Sequence, residues 1–371
     1  MRRSGYIWDL DTWPTFRWEA ASLLEPLAEA RHLQGRLLGR MSELGFDLQR
    51  EAHVQALTTE AVKTSEIEGE HLNVESVRSS LARRLGVPWA GSEVVDRKVE
   101  GVVEMMLDAT SNFAAPLTAR RLFGWHAALF PTGYSGMHRI IVGGWRDDRE
   151  GPMRVVSGPL GHQRVHYEAP PATRLDEEIN RFLEWFNAPM VGDGVLRSGI
   201  AHLWFLTIHP FEDGNGRIAR AIADQALAQC EGAANRFYSV SRQINAERKT
   251  YYDVLERTQQ GDGDITAWLQ WYLACFSRAL TSADVVAGQV LRKASFWKRH
   301  ADKSITERQR RVLNRFLDGF EGKLTARKWA ALGKCSVDTA QRDIQALLEL
   351  DMLRRLPGGS KNTAYEPAWE T

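Results

Sequence analysis

Cysteine is scarce: Cys230, Cys275 and Cys335 are the only three in 371 residues, an odd number at wide spacing. Neither a disulfide framework nor a zinc ribbon can be built from them, and a reducing compartment is expected. Long apolar runs are missing as well. No stretch approaches the ~20 residues of a membrane span, and the opening residues Met1 to Gly5 are not followed by the apolar core of a secretion signal. The expected location is therefore the cytoplasm, with no membrane partner. Excess charge of either sign is absent too. With 48 Lys+Arg against 47 Asp+Glu the net charge is +1, which argues against a globally basic nucleic-acid coat but not against a local patch. The chain also lacks the strand-helix alternation of a doubly wound sheet. What is present, 43% hydrophobic and 26% charged residues, is the composition of a globular domain set, long enough for two or three domains. The 13 tryptophans are scattered and read as core packing.

The chemistry concentrates in HPFEDGNGRIAR, His209 to Arg220. Pro210 disfavours a helical residue before it, so a helix is expected to end with the His209 imidazole at its tip. Gly214 and Gly216 flank Asn215, which lets the backbone turn its N–H groups toward one point, a nest for anions. A helix start there adds partial positive charge. Arg217 and Arg220, three apart, project from neighbouring positions on that helix. A base, an acid, an anion cradle and two arginines in one turn-and-helix form an inventory for holding Mg-bound phosphates while one group takes a proton.

This segment resembles the signature of the Fic family, H-x-F-x-D/E-G-N-G-R-x-x-R, at His209, Phe211, Asp213, Gly214, Asn215, Gly216, Arg217 and Arg220. The resemblance implies transfer of AMP from ATP to a protein hydroxyl. His209 would be the general base on a target Ser, Thr or Tyr, and Asp213 would hold Mg²⁺. Asn215 and the loop amides would form the anion hole, Arg217 would grip the inner phosphates, and Arg220 would reach the γ-phosphate. Phe211 would anchor the loop from below. Phosphoryl chemistry needs chiefly positioning and charge neutralisation, which suits such a set. A Fic-like phosphotransferase is the alternative, but the family's Doc-type kinases depart from the pattern at the position held here by Gly216.

Upstream, TSEIEG at Thr64 to Gly69 resembles the family's inhibitory motif S/T-x-x-x-E-G/N. Thr64 and Glu68 are four apart and share a helix face, and Gly69 suits the position after the helix. The implied mechanism is a bidentate pair between Glu68 and Arg220 that occupies the γ-phosphate site. In the family this glutamate also positions water for removal of AMP. Self-modification of the chain is a further implication, and homodimers occur in the family, although no coiled-coil pattern is evident here.

The sequence divides into residues 1–93, an N-terminal helical region; 94–295, a catalytic core; and 300–371, a C-terminal domain. The first opens with Tyr6, Ile7, Trp8, Trp13, Phe16 and Trp18 and continues as three helices: one through Leu23 to Leu44, one over about 50–68, and one capped by Asn73. The core reads as mainly α. One helix carries Val95, Val99, Val102, Val103, Met106 and Leu107, another Leu122, Trp125 and Leu129; a third spans 173–187 behind Thr173 as N-cap, and a fourth, 194–208, delivers His209. Residues 139–168, with RIIVGG and MRVVSGPLGHQRVHYEAPP, read instead as a β-hairpin. In the family such a hairpin is the flap on which a target strand adds. Val155, Val156, Ser157 and Gly158 are its candidate residues, and the insert GWRDDREG lengthens it. His162 and His166 read as exposed polar residues rather than metal ligands. Further on, YSVSRQINAERKTYYDVLERTQQGD resembles the family's adenine-site segment, with Tyr251 and Gln259 as its contacts and Tyr252 beside them.

Residues 304–367 read as three helices and a hairpin, which resembles a winged helix-turn-helix domain. Ser304 to Glu307 is the expected capping box, Ser336, Thr339, Gln341, Arg342 and Gln345 the exposed face of the third helix, and Arg354, Arg355 and Lys361 the wing. A DNA-binding regulator is thus a second function class. Residues 301–371 hold 13 Lys+Arg and 10 Asp+Glu, too even a balance to drive backbone binding alone.

Overall fold

The computed structural model describes residues 5–87, 96–158, 162–317, 323–356 and 363–369. The chain divides into two units, Met1–Ala283 and Asp284–Thr371. In the first, a 3₁₀ turn at Ile7–Asp9 precedes α1 (Ala20–Ser42), α2 (Phe46–Ile67) and α3 (Val74–Arg84). Asn73 caps α3 by accepting the Ser76 N–H. Asp96 and Thr118 do the same for α4 (Arg97–Ser111) and α5 (Ala119–Leu129). Each is a short side chain with an acceptor oxygen at the position where orphan N–H groups need one. Val95 and the expected boundary at 93–94 lie outside the described residues.

Two antiparallel hairpins follow. β1 (Tyr134–Ser135) pairs with β2 (His138–Arg139), and β3 (Arg154–Ser157) pairs with β4 (Arg164–Glu168), with a register shift between Val155 and Val156. The expected strand RIIVGG is realised only at Arg139. The N–H groups beyond it are spent elsewhere: Ile140 on Gly133, Ile141 on the Glu212 carboxylate and Gly143 on His126 Nδ1. Those bonds tie the segment to the turn before it, to α5 and, through Glu212, to the loop after Ile208 instead of to a second strand.

α6 (Leu175–Asn187), α7 (Gly194–Ile208), α8 (Asn215–Glu231), α9 (Val240–Ala246) and α10 (Arg248–Gln259) complete this unit, and α11 (Thr266–Arg299) begins in it and ends in the second. Thr173, expected as the N-cap of α6, lies in the 3₁₀ turn Ala172–Arg174 and caps nothing; α6 opens with Asp176, Glu177 and Glu178, which suit the helix dipole. α7 is buried at every residue except Leu196, as expected of a helix at the centre of a domain. The Ser198 hydroxyl donates to the Ala223 carbonyl at 2.8 Å and ties α7 to α8. That rigid pair presents His209 and the start of α8 at one end. No described helix is long and apolar enough to cross a membrane.

The second unit holds α12 (Glu307–Leu317), α13 (Ala326–Gly333), α14 (Val337–Glu349) and the hairpin β5 (Leu353–Arg355) with β6 (Tyr365–Pro367). Val312, Leu313, Trp329, Ala340, Ile344 and Leu347 form its core. The capping box at α12 uses Thr306 and Gln309 rather than Ser304 and Glu307. Thr306 Oγ1 accepts the Gln309 N–H at 3.2 Å and Gln309 Oε1 accepts the Thr306 N–H at 2.8 Å, so glutamine fills the place assigned to glutamate, two residues on. The Pro-Gly-Gly turn at 357–359 and Lys361 lie outside the described residues.

Helix packing sets opposite requirements at two glycines. A Cβ on Gly101 would stand 1.8 Å from the Ala128 carbonyl oxygen where α4 meets α5, whereas one on Gly39, exposed in α1, would meet nothing within 4 Å. Urea unfolding is expected to show Gly101→Ala destabilised by about 1–3 kcal/mol or more and Gly39→Ala stabilised by about 0.5–1 kcal/mol.

Candidate active site

His209 ends α7 in a left-handed conformation, φ 50° and ψ 59°, uncommon for a residue with a side chain. Its N–H donates to the Phe205 carbonyl, and its Nδ1 lies 3.2 Å from the Leu206 carbonyl. A carbonyl only accepts, so Nδ1 carries the proton and Nε2 is left with a lone pair. Burial holds the imidazole pKa down at about 4, only partly opposed by the Leu206 hydrogen bond. At neutral pH the ring is uncharged.

The segment that had read as a mere insertion braces this conformation. Arg146, buried, donates from Nε to the His209 carbonyl at 2.8 Å, from Nη2 to the Pro170 carbonyl at 2.6 Å and from Nη1 to Asp148 at 2.9 Å. Its backbone N–H takes the Pro210 carbonyl. Sequence reasoning missed Arg146 because its partners are carbonyls, which carry no sequence signal.

Below the loop the Phe211 ring lies flat on His126, with centroids 4.2 Å apart and planes 7° apart. His126 Nε2 reaches the Asp213 carbonyl at 3.2 Å while its Nδ1 accepts the Gly143 N–H at 3.3 Å. Only the neutral ring protonated at Nε2 makes both bonds, and burial keeps its pKa at about 4. His126 was also missed, since one histidine on a helix face has no distinguishing pattern. The Asn215 side chain closes the loop with a pair of bonds to Phe211, Nδ2 to its carbonyl at 2.7 Å and Oδ1 from its N–H at 3.0 Å. Gly214 takes φ 81°, and the first intrahelical bond of α8 runs from the Ile218 N–H to the Gly214 carbonyl. The N–H groups of Asn215, Gly216 and Arg217 thus have no partner within the helix and carry its positive end. One Asp213 oxygen accepts the Gly214 N–H and the other the Ser135 hydroxyl.

The end of α2 covers that positive end. Gly69 at φ 81° forms a Schellman turn in which its N–H bonds the Glu66 carbonyl and the Glu70 N–H bonds the Ser65 carbonyl. Glu68 then reaches Arg220 Nη2 at 2.7 Å, and a Cβ on Gly216 would lie 2.1 Å from Glu68 Oε1. The carboxylate lies against the N-terminal turn of α8. The contact is a single bond rather than the expected bidentate pair, because Thr64 takes Arg220 Nε through its hydroxyl at 2.7 Å and shares Nη2 through its carbonyl at 2.9 Å. Glu70, missed in the sequence, pairs with Arg217 Nη1 at 2.7 Å. Both arginines are buried, at 2% and 3% exposure, and Arg217 Nε and Arg220 Nη1 have no hydrogen-bond partner among the described residues.

A cavity of about 540 Å³ opens here, lined by Glu68, His209, Asp213, Gly214, Asn215, Gly216, Tyr251, Tyr252 and Gln259, and by Val155, Val156 and Ser157 from the hairpin. Thr64, Gly69, Gly158, Arg217 and Arg220 are not part of its lining. Tyr251 is buried against Trp268 and Trp271, its hydroxyl 3.1 Å from His202 Nε2; Gln259 Nε2 is 3.4 Å from Thr207 Oγ1. β3 pairs with β4 and with no other strand among the described residues. His162 is exposed, but His166 is half-buried between Ser157 and Glu256, contrary to the sequence reading, because α10 packs against β4 there. Among the described residues no group of three or more His, Cys, Asp or Glu could hold a metal ion unaided. The lone Asp213 carboxylate beside an anion cradle fits an ion that brings its other oxygen ligands on a substrate.

Residues 116–227 match the Fic/DOC family, and residues 6–87 match a domain of unknown function, DUF4172. Similar proteins include protein adenylyltransferase Fic of Nematostella vectensis, 29% identical over 119 residues, which are 31% of this chain and 26% of that protein. Protein adenylyltransferase fic-1 of Caenorhabditis briggsae is 29% identical over 161 residues, 43% of this chain and 29% of that protein. The chain thus spans less than a third of the length of these curated relatives. A Fic family protein of Desulfovibrio desulfuricans G20 shares the fold over 93% of this chain and 95% of that one, at 20% identity and a TM-score of 0.54. The loop from His209 to Arg220 lies inside the segment, residues 116–227, that matches the Fic/DOC family.

Proposed function

We propose that this chain is a protein adenylyltransferase that moves AMP from ATP to a Ser, Thr or Tyr hydroxyl of a target protein, releases pyrophosphate, and is held idle by Glu68. One observation carries the reading: a carboxylate of the chain itself lies at the positive end of α8, against Gly216 and Arg220, beside a neutral imidazole. A helix N-terminus with buried arginines is an anion site, and an anion stored there keeps another out. The unpartnered Arg217 Nε and Arg220 Nη1 are spare donors for phosphate oxygens. The names of the curated relatives point the same way.

In this mechanism the target hydroxyl gives its proton to His209 Nε2 as its oxygen bonds to the α-phosphorus, and the bond to the β-phosphate breaks. The N–H groups of Asn215, Gly216 and Arg217 stabilise the charge on the phosphate oxygens, and the Asn215 side chain keeps the loop in shape. Arg217 serves the inner phosphates and Arg220 the γ-phosphate. Asp213 would hold Mg²⁺, which neutralises phosphate charge. Tyr251, Tyr252 and Gln259 line the nucleobase side. Val155, Val156, Ser157 and Gly158 offer the free edge of β3 to a target strand, which fixes register without demanding a sequence. The incoming phosphates raise the His209 pKa toward neutrality, since negative charge favours imidazolium. Glu68 positions a water when the reaction runs toward AMP removal.

The C-terminal unit fits a winged helix in element order, and Gln341, Arg342, Gln345 and Arg355 line one shallow surface of it together with Asp338. This surface is the candidate for DNA or protein contact, as a means of selecting targets.

With ATP labelled at the α-phosphate, Glu68→Gly is expected to raise labelling of lysate proteins, and adding His209→Ala to lower it by about 10²–10⁴-fold. Equal labelling by wild type and Glu68→Gly would contradict the inhibitory role, and label arriving only from the γ-phosphate would make the chain a phosphotransferase. Glu70→Ala is expected to raise labelling less, since it leaves Glu68 in place. In the nucleotide-free protein, NMR is expected to show His209 titrating near pH 4. An unfolded histidine titrates near ~6.5, so the unfolded state binds the proton first and His209 lowers stability as pH falls from ~6.5 to ~4. A midpoint above 6 would contradict the depression of the imidazole pKa by burial.

A further inference from the structure

The carboxylate given to Mg²⁺ in the mechanism above is itself held by a part of the chain that the mechanism leaves unused. The β1–β2 hairpin turns at Gly136, which takes φ 56°, and pairs Ser135 with His138. Beyond it, the Ile140 N–H returns to the Gly133 carbonyl and the Ile141 N–H donates to Glu212 at 2.6 Å. From this strap the Ser135 hydroxyl donates to Asp213 Oδ2. Asp213 Oδ1 accepts the Gly214 N–H. One segment thus fastens two consecutive acidic residues of the catalytic loop, Glu212 through a backbone N–H and Asp213 through a hydroxyl. A carboxylate has about four lone-pair sites on its two oxygens, so one donor on each fixes its plane and still leaves both oxygens able to ligate a cation. Asp213 lines the cavity and Ser135 does not, so the hydroxyl acts on a cation there only through the carboxylate.

We propose that Ser135 is a positioning residue for the metal: its hydroxyl sets the orientation of the Asp213 carboxylate for the Mg²⁺ of a bound nucleoside triphosphate. The inference deepens the nucleotidyl-transfer reading and rests on its assignment of Mg²⁺ to Asp213. Among the described residues no group of three or more His, Cys, Asp or Glu could hold the ion unaided. An ion that takes its other ligands from phosphate and water receives little from the protein beyond one carboxylate, so the orientation of that carboxylate weighs heavily. A side chain free to rotate would lose that freedom each time the ion bound, and a fixed one has lost it beforehand. Hydrogen-bond partners behind a metal ligand act in this way, and their loss weakens metal binding without removing a ligand. Ser135 carried no signal in the sequence, since it stands in a two-residue strand 78 residues before Asp213.

The test uses the full chain as Glu68→Gly and an ATP analogue with carbon in place of the oxygen between the α- and β-phosphorus. Calorimetry gives its affinity in EDTA and in Mg²⁺. Mg²⁺ is expected to tighten binding in this parent, and adding Ser135→Ala to reduce that gain by about 10-fold or more while affinity in EDTA stays the same. Ser135→Thr, which keeps a hydroxyl, is expected to retain the gain. With ATP labelled at the α-phosphate, Ser135→Ala is expected to raise the Mg²⁺ concentration for half-maximal labelling of lysate proteins by the same factor, and excess Mg²⁺ to restore the rate. An unchanged Mg²⁺ gain in Ser135→Ala, or a loss of affinity as large in EDTA as in Mg²⁺, would overturn this inference alone; the second result would make the contact a brace for the loop. A parent whose affinity does not respond to Mg²⁺ would overturn the assignment of the ion to Asp213, and this inference with it. Label on no protein with the Mg²⁺ response intact would overturn the transferase reading and leave Ser135 its place behind the ion.

Discussion

Two guanidinium groups buried beside the positive end of a helix cannot be left without anions. Arg217 and Arg220 are almost inaccessible to water, and removing a charge from water costs far more than a hydrogen bond returns unless a counter-charge comes with it. The chain supplies two from one turn, Glu68 for Arg220 and Glu70 for Arg217. Stability and the proposed inhibition therefore rest on the same contacts. An anion site this deep needs an occupant, and an internal carboxylate is the nearest one.

Around that site, rigidity comes from side chains with no direct part in the proposed proton and phosphoryl transfer. His209 holds a left-handed conformation because Arg146 fixes its carbonyl and Pro210 follows it. The loop beyond is pressed from below by Phe211 on His126 and laced by Asn215. His126 meets both its partners only while neutral, which ties loop shape to a buried imidazole with a pKa well below that of a free histidine. In both histidines burial keeps the ring neutral, for different ends: one keeps a lone pair available, the other keeps a hydrogen-bond pattern.

What was legible in the sequence follows from how local each signal is. The loop from His209 to Arg220 could be read because proline, glycines and helix start act within a few residues of one another. Helix identity was likewise legible, since periodicity is local, but ends slipped where two candidates competed: Thr306 and Gln309 cap α12 in place of Ser304 and Glu307, and a 3₁₀ turn displaced Thr173. Arg146, His126 and Glu70 were not legible, because each acts on a backbone group or side chain far along the chain. His166 was misread for the same reason: its partner Glu256 stands 90 residues away. Thr64 was identified, yet its carbonyl bond to Arg220 turned an expected two-pronged pair into a single contact.

Glu68 and Glu70 differ in what frees them. Both are fixed by the Schellman turn at Gly69, whose hydrogen bonds are internal to the end of α2. A substitution removes one carboxylate and exposes one arginine, whereas a shift of the end of α2 carries the whole turn and withdraws both. In the proposed mechanism a nucleotide uses both arginines for its phosphates, so relief by movement of α2 would open more of the site than loss of Glu68 would. Glu60 opposes that movement: it accepts the Ser239 hydroxyl at 2.7 Å and the Ser241 N–H at 3.1 Å and pins α2 to the start of α9. Under the proposed mechanism, the resistance to activation thus lies partly in contacts that never touch the nucleotide site.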